Sequence, residues 1–273
     1  MVSISATLIT LNEEENIREC LESIKWCDEI IVVDSYSDDR TVEIAREYTD
    51  KIYQKEPKGY SEPYREFSIK KAEGDWILRV DPDEIVPKGL AERIQEEVQD
   101  ESLDVLRVPR KNYAFGKPIK YGFSWRRYPD YQNLVFRPEA VEFSDEIHRY
   151  MDIREEAQVR KLPKNSDLDL HHFQYEGVSD YIGRMNRYTD IEADYKNFDY
   201  TSIFYRPLAG FLSEFLLFGG FLNGWQGFLI SVLRAQYELN AQLKILEDRE
   251  FGGDYSELYD EKKEELLDAY EKE

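Results

Sequence analysis

Two aspartates separated by one residue, Asp81-Pro82-Asp83, follow the apolar run Trp76-Ile77-Leu78-Arg79-Val80. Alternation along an extended chain puts both carboxylates on roughly one side, and Pro82 stiffens the step between them. Hard divalent cations such as Mg²⁺ or Mn²⁺ take oxygen ligands of this kind and leave positions open for phosphate oxygens. Such a cation can neutralise a departing nucleoside diphosphate. Taken alone, the triplet with Glu84 and Asp75 nearby also describes a solvated acidic turn. Two more polar groups end apolar runs in the same way: Thr10-Leu11-Asn12-Glu13, and Asp34-Ser35 after Ile30-Ile31-Val32-Val33. A carboxylate such as Asp34 has little reason to end an apolar strand except as a hydrogen-bond acceptor. The other reading is a cap for the next helix, a role that Asp38 or Asp39 fills better.

These groups need a scaffold that brings strand ends together. Strand-like runs at 3–11, 29–34, 51–53 and 75–80 alternate with helical patterns at 14–24, 40–48, 64–72 and 89–99. In the first helix Ile17, Cys20, Leu21 and Ile24 recur at helical spacing. Repeated β-α-β units with apolar strands predict an α/β fold, a Rossmann-like and mostly parallel sheet with helices on both faces. In such sheets ligands bind beyond the carboxyl ends of the strands, where all three polar groups lie. After residue 99 the alternation stops. Strand-like runs recur at 105–109 and 132–137, a helix is expected at 179–195, and 207–246 is apolar and punctuated by glycines. The expected organisation is a catalytic domain over 1–200, with a nucleotide half (1–100) and an acceptor half (101–200). A partly apolar helical appendage (201–246) and an acidic tail (247–273) follow.

The chain has 273 residues, 36 basic and 57 acidic, for a formal net charge of -21. This excess argues against nucleic-acid partners, which require a basic footprint, and suits solubility at high ionic strength. Cys20 and Cys27 are the only cysteines and lack metal-ligand spacing. No apolar stretch reaches the roughly 18 residues of a spanning helix, and Met1–Leu11 lacks the basic start of a signal peptide. A cytoplasmic protein is expected.

Several motifs occur in a fixed order: Thr10-Leu11-Asn12-Glu13-Glu14, Asp28-Glu29-Ile30-Ile31-Val32-Val33-Asp34-Ser35, Asp39-Arg40-Thr41, Gly74-Asp75-Trp76-Ile77-Leu78 and Asp81-Pro82-Asp83-Glu84. Arg110-Lys111-Asn112-Tyr113, Leu134-Val135-Phe136-Arg137, His172-Phe173-Gln174-Tyr175 and Gly220-Phe221-Leu222-Asn223-Gly224-Trp225 continue the series. The chain thereby resembles glycosyltransferase family two, of GT-A fold, and in particular its lipopolysaccharide-core-type branch. The resemblance implies an inverting hexosyltransferase that uses a nucleotide sugar, with UDP preferred, and a divalent metal. It implies that Thr10, Asn12, Glu13 and Asp34 line the nucleotide pocket and that Asp81 and Asp83 hold Mg²⁺ or Mn²⁺. His172 matches the family's His-x-x-Tyr and is the expected third ligand, a structural histidine being the other reading. The chain departs from the family at Pro63-Tyr64-Arg65-Glu66, where Gln-Lys-Asn is usual; Arg65 would bring positive charge to the diphosphate. It departs again at Asp145-Glu146-Ile147-His148-Arg149, where His-Glu is usual. Inversion needs one group to take the acceptor hydroxyl's proton and no carboxylate nucleophile. The candidates are Glu146, which is favoured, Asp145 and His148.

Between Arg107 and Arg127 lie seven basic residues and no acidic one. This run reads either as a phosphate-binding surface for a lipid-linked or glycolipid acceptor or as a solvated strand face. The section 207–233 reads either as a peripheral membrane contact, on the inner face of the cell membrane, or as a hairpin packed on the core or on a second subunit of a homo-oligomer. Two competing functions remain: a degenerate nucleotide- or partner-binding scaffold without turnover, and a sugar-phosphate nucleotidyltransferase. The latter class opens with a glycine-rich basic loop, which Thr10-Leu11-Asn12-Glu13-Glu14 is not.

Overall fold

A computed structural model describes residues 2–56, 62–121, 128–142, 151–165, 167–193, 199–252 and 255–271. The chain forms two compact units, Met1–Lys120 with Arg126–Gly177, and Tyr121–Trp125 with Val178–Glu273.

The first unit begins as β1 (Ile4–Thr10), α1 (Ile17–Ile24), β2 (Glu29–Asp34), α2 (Thr41–Ala45), β3 (Ile52–Gln54), α3 (Glu62–Lys71) and β4 (Trp76–Arg79). It continues as β5 (Glu84–Ile85), α4 (Lys88–Glu97), β6 (Val105–Ala114), β7 (Lys117–Pro118) and β8 (Asp130–Phe136). A small pair, β9 (Val141–Glu142) and β10 (Asp152–Ile153), precedes β11 (Val159–Lys161) and β12 (Leu170–Tyr175). The sheet runs β3-β2-β1-β4-β8-β6-β12-β5, with β7 and β11 also on β6.

Strands β3, β2, β1 and β4 are mutually parallel, because each is joined to the next by a crossover helix. Their residues alternate between two cores. Ile30 and Val32 face α1, whereas Ile31 and Val33 face Tyr64 of α3. The spacing of Ile17, Cys20, Leu21 and Ile24 gives α1 one apolar stripe, fully buried. Each of its isoleucines and leucines contributes about 1.5–3 kcal/mol by burial. Burial, with Glu84, Asp83 and Asp81 nearby, pushes the Cys20 thiol well up, so it stays protonated.

The expectation of a mostly parallel sheet requires correction, because the sheet is mixed. β8 is antiparallel to both β4 and β6, β12 is parallel to β6, and β5 is antiparallel to β12. β6 is also longer than the run at 105–109 suggested, since it continues through Pro109. On one edge it pairs with β11 through Arg107 and with β12 from Arg110. Pro109 falls in the gap between these partners, where a residue lacking an N–H is tolerated.

The second unit contains α5 (Val178–Ala193), α6 (Ser202–Leu212), α7 (Trp225–Phe251) and α8 (Ser256–Glu271). α6 leads through a π turn (Ser213–Leu217) and a 3-10 turn (Gly220–Asn223) into α7, against which α5 and α6 pack. A Cβ on Gly227 would stand 1.8 Å from the Gly220 carbonyl oxygen, a backbone contact that cannot yield. Gly227→Ala is therefore expected to lower stability by about 1–3 kcal/mol or more, read as a reduced denaturation midpoint. An unchanged midpoint would disprove this close approach. Glu214, the sole charge between Pro207 and Leu233, is buried. Large apolar side chains nevertheless face outward, among them Phe204 (79% exposed), Leu217 (69%) and Trp225 (85%). Among the described residues no helix is long and apolar enough to cross a membrane.

Candidate active site

The carboxyl ends of β1, β2 and β4 converge, as parallel pairing of adjacent strands requires. Thr10 stands beside Asp34 in the β1–β2 register, and its hydroxyl donates to Asp34 Oδ1 at 3.0 Å. Asp34 is fully buried. It also accepts from the Ser37 backbone N–H (3.0 Å) and hydroxyl (2.5 Å), and more distantly from Gln54 Nε2 (3.4 Å).

The loop after β1 is tied to the loop after β2. The Asn12 N–H donates to Ser37 Oγ at 2.9 Å, and the Asp38 N–H donates to Asn12 Oδ1 at 3.0 Å. Asn12 and Tyr36 both take positive φ, 53° and 58°. Asparagine adopts this region readily, whereas a half-exposed tyrosine does so only when its surroundings impose it. The Glu13 N–H donates to Thr41 Oγ1 (2.7 Å), and its carboxylate accepts from Asn16 Nδ2 (3.0 Å) at the start of α1.

The aspartates after β4 have different neighbours. Asp81 lies 3.3 Å from Arg65 Nη2 of α3. Burial opposes its ionisation, but the positive fields of Arg65 and Arg79 outweigh that and hold its carboxyl well below the usual range. Asp83 is buried and faces His172 of β12, with Oδ1 and Nε2 3.4 Å apart. β12 reaches this position because His172 pairs with Asn112 on one side and Glu84 on the other.

A buried network fixes the histidine. Asn112 Nδ2 points to the Asp130 carboxylate (3.4 Å), so Asn112 Oδ1 is the acceptor for His172 Nδ1–H at 2.7 Å. With Nδ1–H so committed, His172 Nε2 is left facing Asp83. A hydrogen-bond acceptor on the other ring nitrogen, as Asn112 Oδ1 is here, orients metal-bound histidines. Arg110 completes the network, donating to Glu84 Oε1 (2.9 Å) and to Asp130 Oδ2 (2.7 Å), while Glu84 Oε2 accepts the Asp81 N–H (3.0 Å). Among the described residues no three His, Cys, Asp or Glu side chains form a group able to hold an ion alone. Two close ligands, Asp83 and His172, fit a cation that takes its remaining oxygens from a phosphate-bearing ligand and water. Asn112→Leu is expected to weaken divalent-metal affinity about 10–100-fold, measured by Mn²⁺ titration; unchanged affinity would mean His172 is not a ligand.

The structure thus gathers Thr10, Asn12, Glu13, Asp34, Arg65, Asp81, Asp83 and His172 along one edge of the sheet. Asp145, Glu146 and His148 lie outside the described residues. Within the basic run, Arg110 is buried in ion pairs with Glu84 of β5 and Asp130 of β8, and Arg107 donates to Asn133 Oδ1 of β8 at 2.6 Å; Arg126 and Arg127 lie outside the described residues. Sequence reasoning did not identify the roles of Ser37, Glu84, Asn112 and Asp130. Strand alternation would have placed Arg110 and Asn112 on one face, but which face depended on the antiparallel β8.

Carboxylates at the carboxyl ends of parallel strands, with an oriented histidine beside one of them, are consistent with a GT-A-like core. The family model of glycosyl transferase family 2 matches residues 5–163, and the chain belongs to that family; it is a glycosyltransferase. It is 28% identical over 257 residues to the lipopolysaccharide core biosynthesis glycosyltransferase LpsC of Rhizobium meliloti, covering 89% of this chain and 91% of that protein. An uncharacterized glycosyltransferase of Rickettsia typhi is 24% identical over 255 residues, covering 86% of this chain and 84% of its own. The crystal structure of Staphylococcus aureus TarS 1-349 in complex with UDP-GlcNAc aligns over 93% of each chain, with a TM-score of 0.49 and 17% identity.

Proposed function

We propose that this chain is an inverting, metal-dependent hexosyltransferase that takes its sugar from a UDP-sugar and delivers it to a lipid-linked or glycolipid acceptor. The observation that carries this reading is the buried Asp83–His172 contact, held in orientation by Asn112 at the mouth of the nucleotide-binding strands. Asp81, Asp83 and His172 would hold Mg²⁺ or Mn²⁺. When bound, that ion neutralises charge on the leaving diphosphate. Uridine is the expected base on the family resemblance. Asp34 and Thr10 would receive the nucleoside, with Gln54, the most distant partner of Asp34, giving way to it. Arg65, from the helix beside Asp81, would add positive charge at the diphosphate.

The acceptor oxygen forms its bond to the anomeric carbon from the face opposite the diphosphate, whose own bond to that carbon breaks. Glu146 is proposed to take the acceptor's proton, with Asp145 and His148 as the other candidates. Glu146→Gln is expected to retain donor binding and to lose turnover by about 10²–10⁴-fold; full activity would assign the base elsewhere. The outward-facing Phe204, Leu217 and Trp225 support a peripheral membrane contact, which suits a lipid-linked acceptor on the inner face of the cell membrane. The part of LpsC in lipopolysaccharide core biosynthesis agrees with that acceptor class.

The test is thermal-shift binding of UDP, GDP, ADP and CDP with and without Mn²⁺. Specific binding stabilises the native state by mass action. A metal-dependent shift with UDP supports the reading. A shift with another base reassigns the donor, and no shift with any would favour a scaffold without turnover.

A further inference from the structure

The two carboxylates of Asp81-Pro82-Asp83 do not share one environment, and the side that Asp81 faces has a feature that a diphosphate site does not explain. Beneath α3, a small cleft is lined by Thr7, Ile9, Arg65, Ser68, Arg79 and Asp81. It has about 10 Å³ of room for a water-sized group. That admits the tip of a substituent and excludes a sugar ring. Two guanidinium groups border this space against a single carboxylate, so its charged lining is net positive.

Arg79 is the unusual member. It occupies the last position of β4, two residues before Asp81, on the face covered by α3. Its Nε–H is buried and has no hydrogen-bond partner. Its Nη2 reaches only a neutral acceptor, Gln132 Oε1, at 3.4 Å. The nearest acid, Asp81, already lies 3.3 Å from Arg65. Arg79 as a whole is half-buried, but a buried N–H donor is costly unless it is satisfied. Arginine offers a planar fork that matches a carboxylate in two-point fashion. The unused donor and the net charge both call for an anionic oxygen group that the described residues do not supply. Asp83 and His172, the close ligands for a cation beside the diphosphate, face away toward β12.

We propose that Arg79, together with Arg65, receives the carboxylate of the donor sugar, so that the preferred donor is a nucleotide-linked uronic acid and not a neutral hexose. This inference rests on the donor-site reading above and narrows its substrate class. The free oxygens of the carboxylate would take the Arg79 Nε–H, and the ring would remain outside the cleft beside Asp81. Arg79 is then a specificity-determining residue.

The experiment compares UDP-glucuronate, UDP-glucose and UDP by calorimetric titration in the presence of Mn²⁺, on the wild type, Arg79→Met and Arg79→Lys. UDP-glucuronate is expected to bind the wild type at least tenfold tighter than UDP-glucose. Arg79→Met should bring that ratio close to one while UDP itself binds within about twofold of wild type. Arg79→Lys, which keeps the charge without the fork, should give an intermediate ratio. Equal wild-type affinity for the two sugars, with UDP bound, overturns the inference and leaves the donor site standing; this arm needs no variant to fold. A wild-type preference that survives in Arg79→Met also overturns it. Failure of all three ligands to bind overturns both the inference and the uridine reading beneath it.

Discussion

Asp83→Ala is expected to abolish metal-dependent stabilisation by UDP and to reduce turnover about 10³-fold or more. Asp83 is the carboxylate that meets His172, and its loss leaves an imidazole facing an apolar methyl. A metal's charge stabilisation is worth several kcal/mol, and each 1.36 kcal/mol changes a rate about tenfold. The matched variant Asp81→Ala should behave differently, because Asp81 faces Arg65. It should retain part of the Mn²⁺ response while weakening donor affinity. Measuring the UDP thermal shift against Mn²⁺ concentration for both variants separates the two roles. Identical loss in both would mean that the carboxylates act on one ion as equals; a persisting Mn²⁺ response in Asp83→Ala would remove the metal from this side altogether.

The second large effect concerns stability. Arg110→Met should lower stability by about 3–5 kcal/mol, since it strands Glu84 and Asp130 in the interior without their counter-charge. For a unit of this size that is roughly a 10 °C fall in melting temperature. Adding Glu84→Gln and Asp130→Asn to the same chain should recover much of the loss, because an uncharged network needs no cation. A shift of only one or two degrees for the single variant would show the pairs to be solvated. Metal affinity should also weaken, because Asp130 anchors the Asn112 amide that orients His172.

The first half of the fold was legible in the sequence for a physical reason. Strands β1, β2 and β4 are buried on both faces, so β2 and β4 read as apolar runs and β1 as a β-rich one, and α1 carries a single buried stripe. Asp34, Asp81 and Asp83 then stood out because they interrupt such runs. The second half was less legible. β12 reads Leu170-His171-His172-Phe173-Gln174-Tyr175, a polar string that becomes a strand only because β5 and β6 flank it. The Arg110 network joins residues 20 and 26 positions apart, and nothing local reports that pairing. Arg110 was read with the rest of the basic run for the same reason: its acidic partners, Glu84 and Asp130, are supplied by other strands.

The position of β12 within the sheet bears on how the protein is made. It lies between β6 and β5, so a nascent chain that has emerged only through residue 169 has β5 without its ladder and Asp83 without its histidine. The β1–β4 region is complete some 90 residues earlier and needs no later strand for its parallel pairing. The loops after β1 and β2 can therefore assemble during synthesis, while the Asp83–His172 contact must wait for the end of the first unit. On the proposed reading, a ribosome-bound chain would acquire its two halves of donor recognition at different times, nucleoside first and metal last.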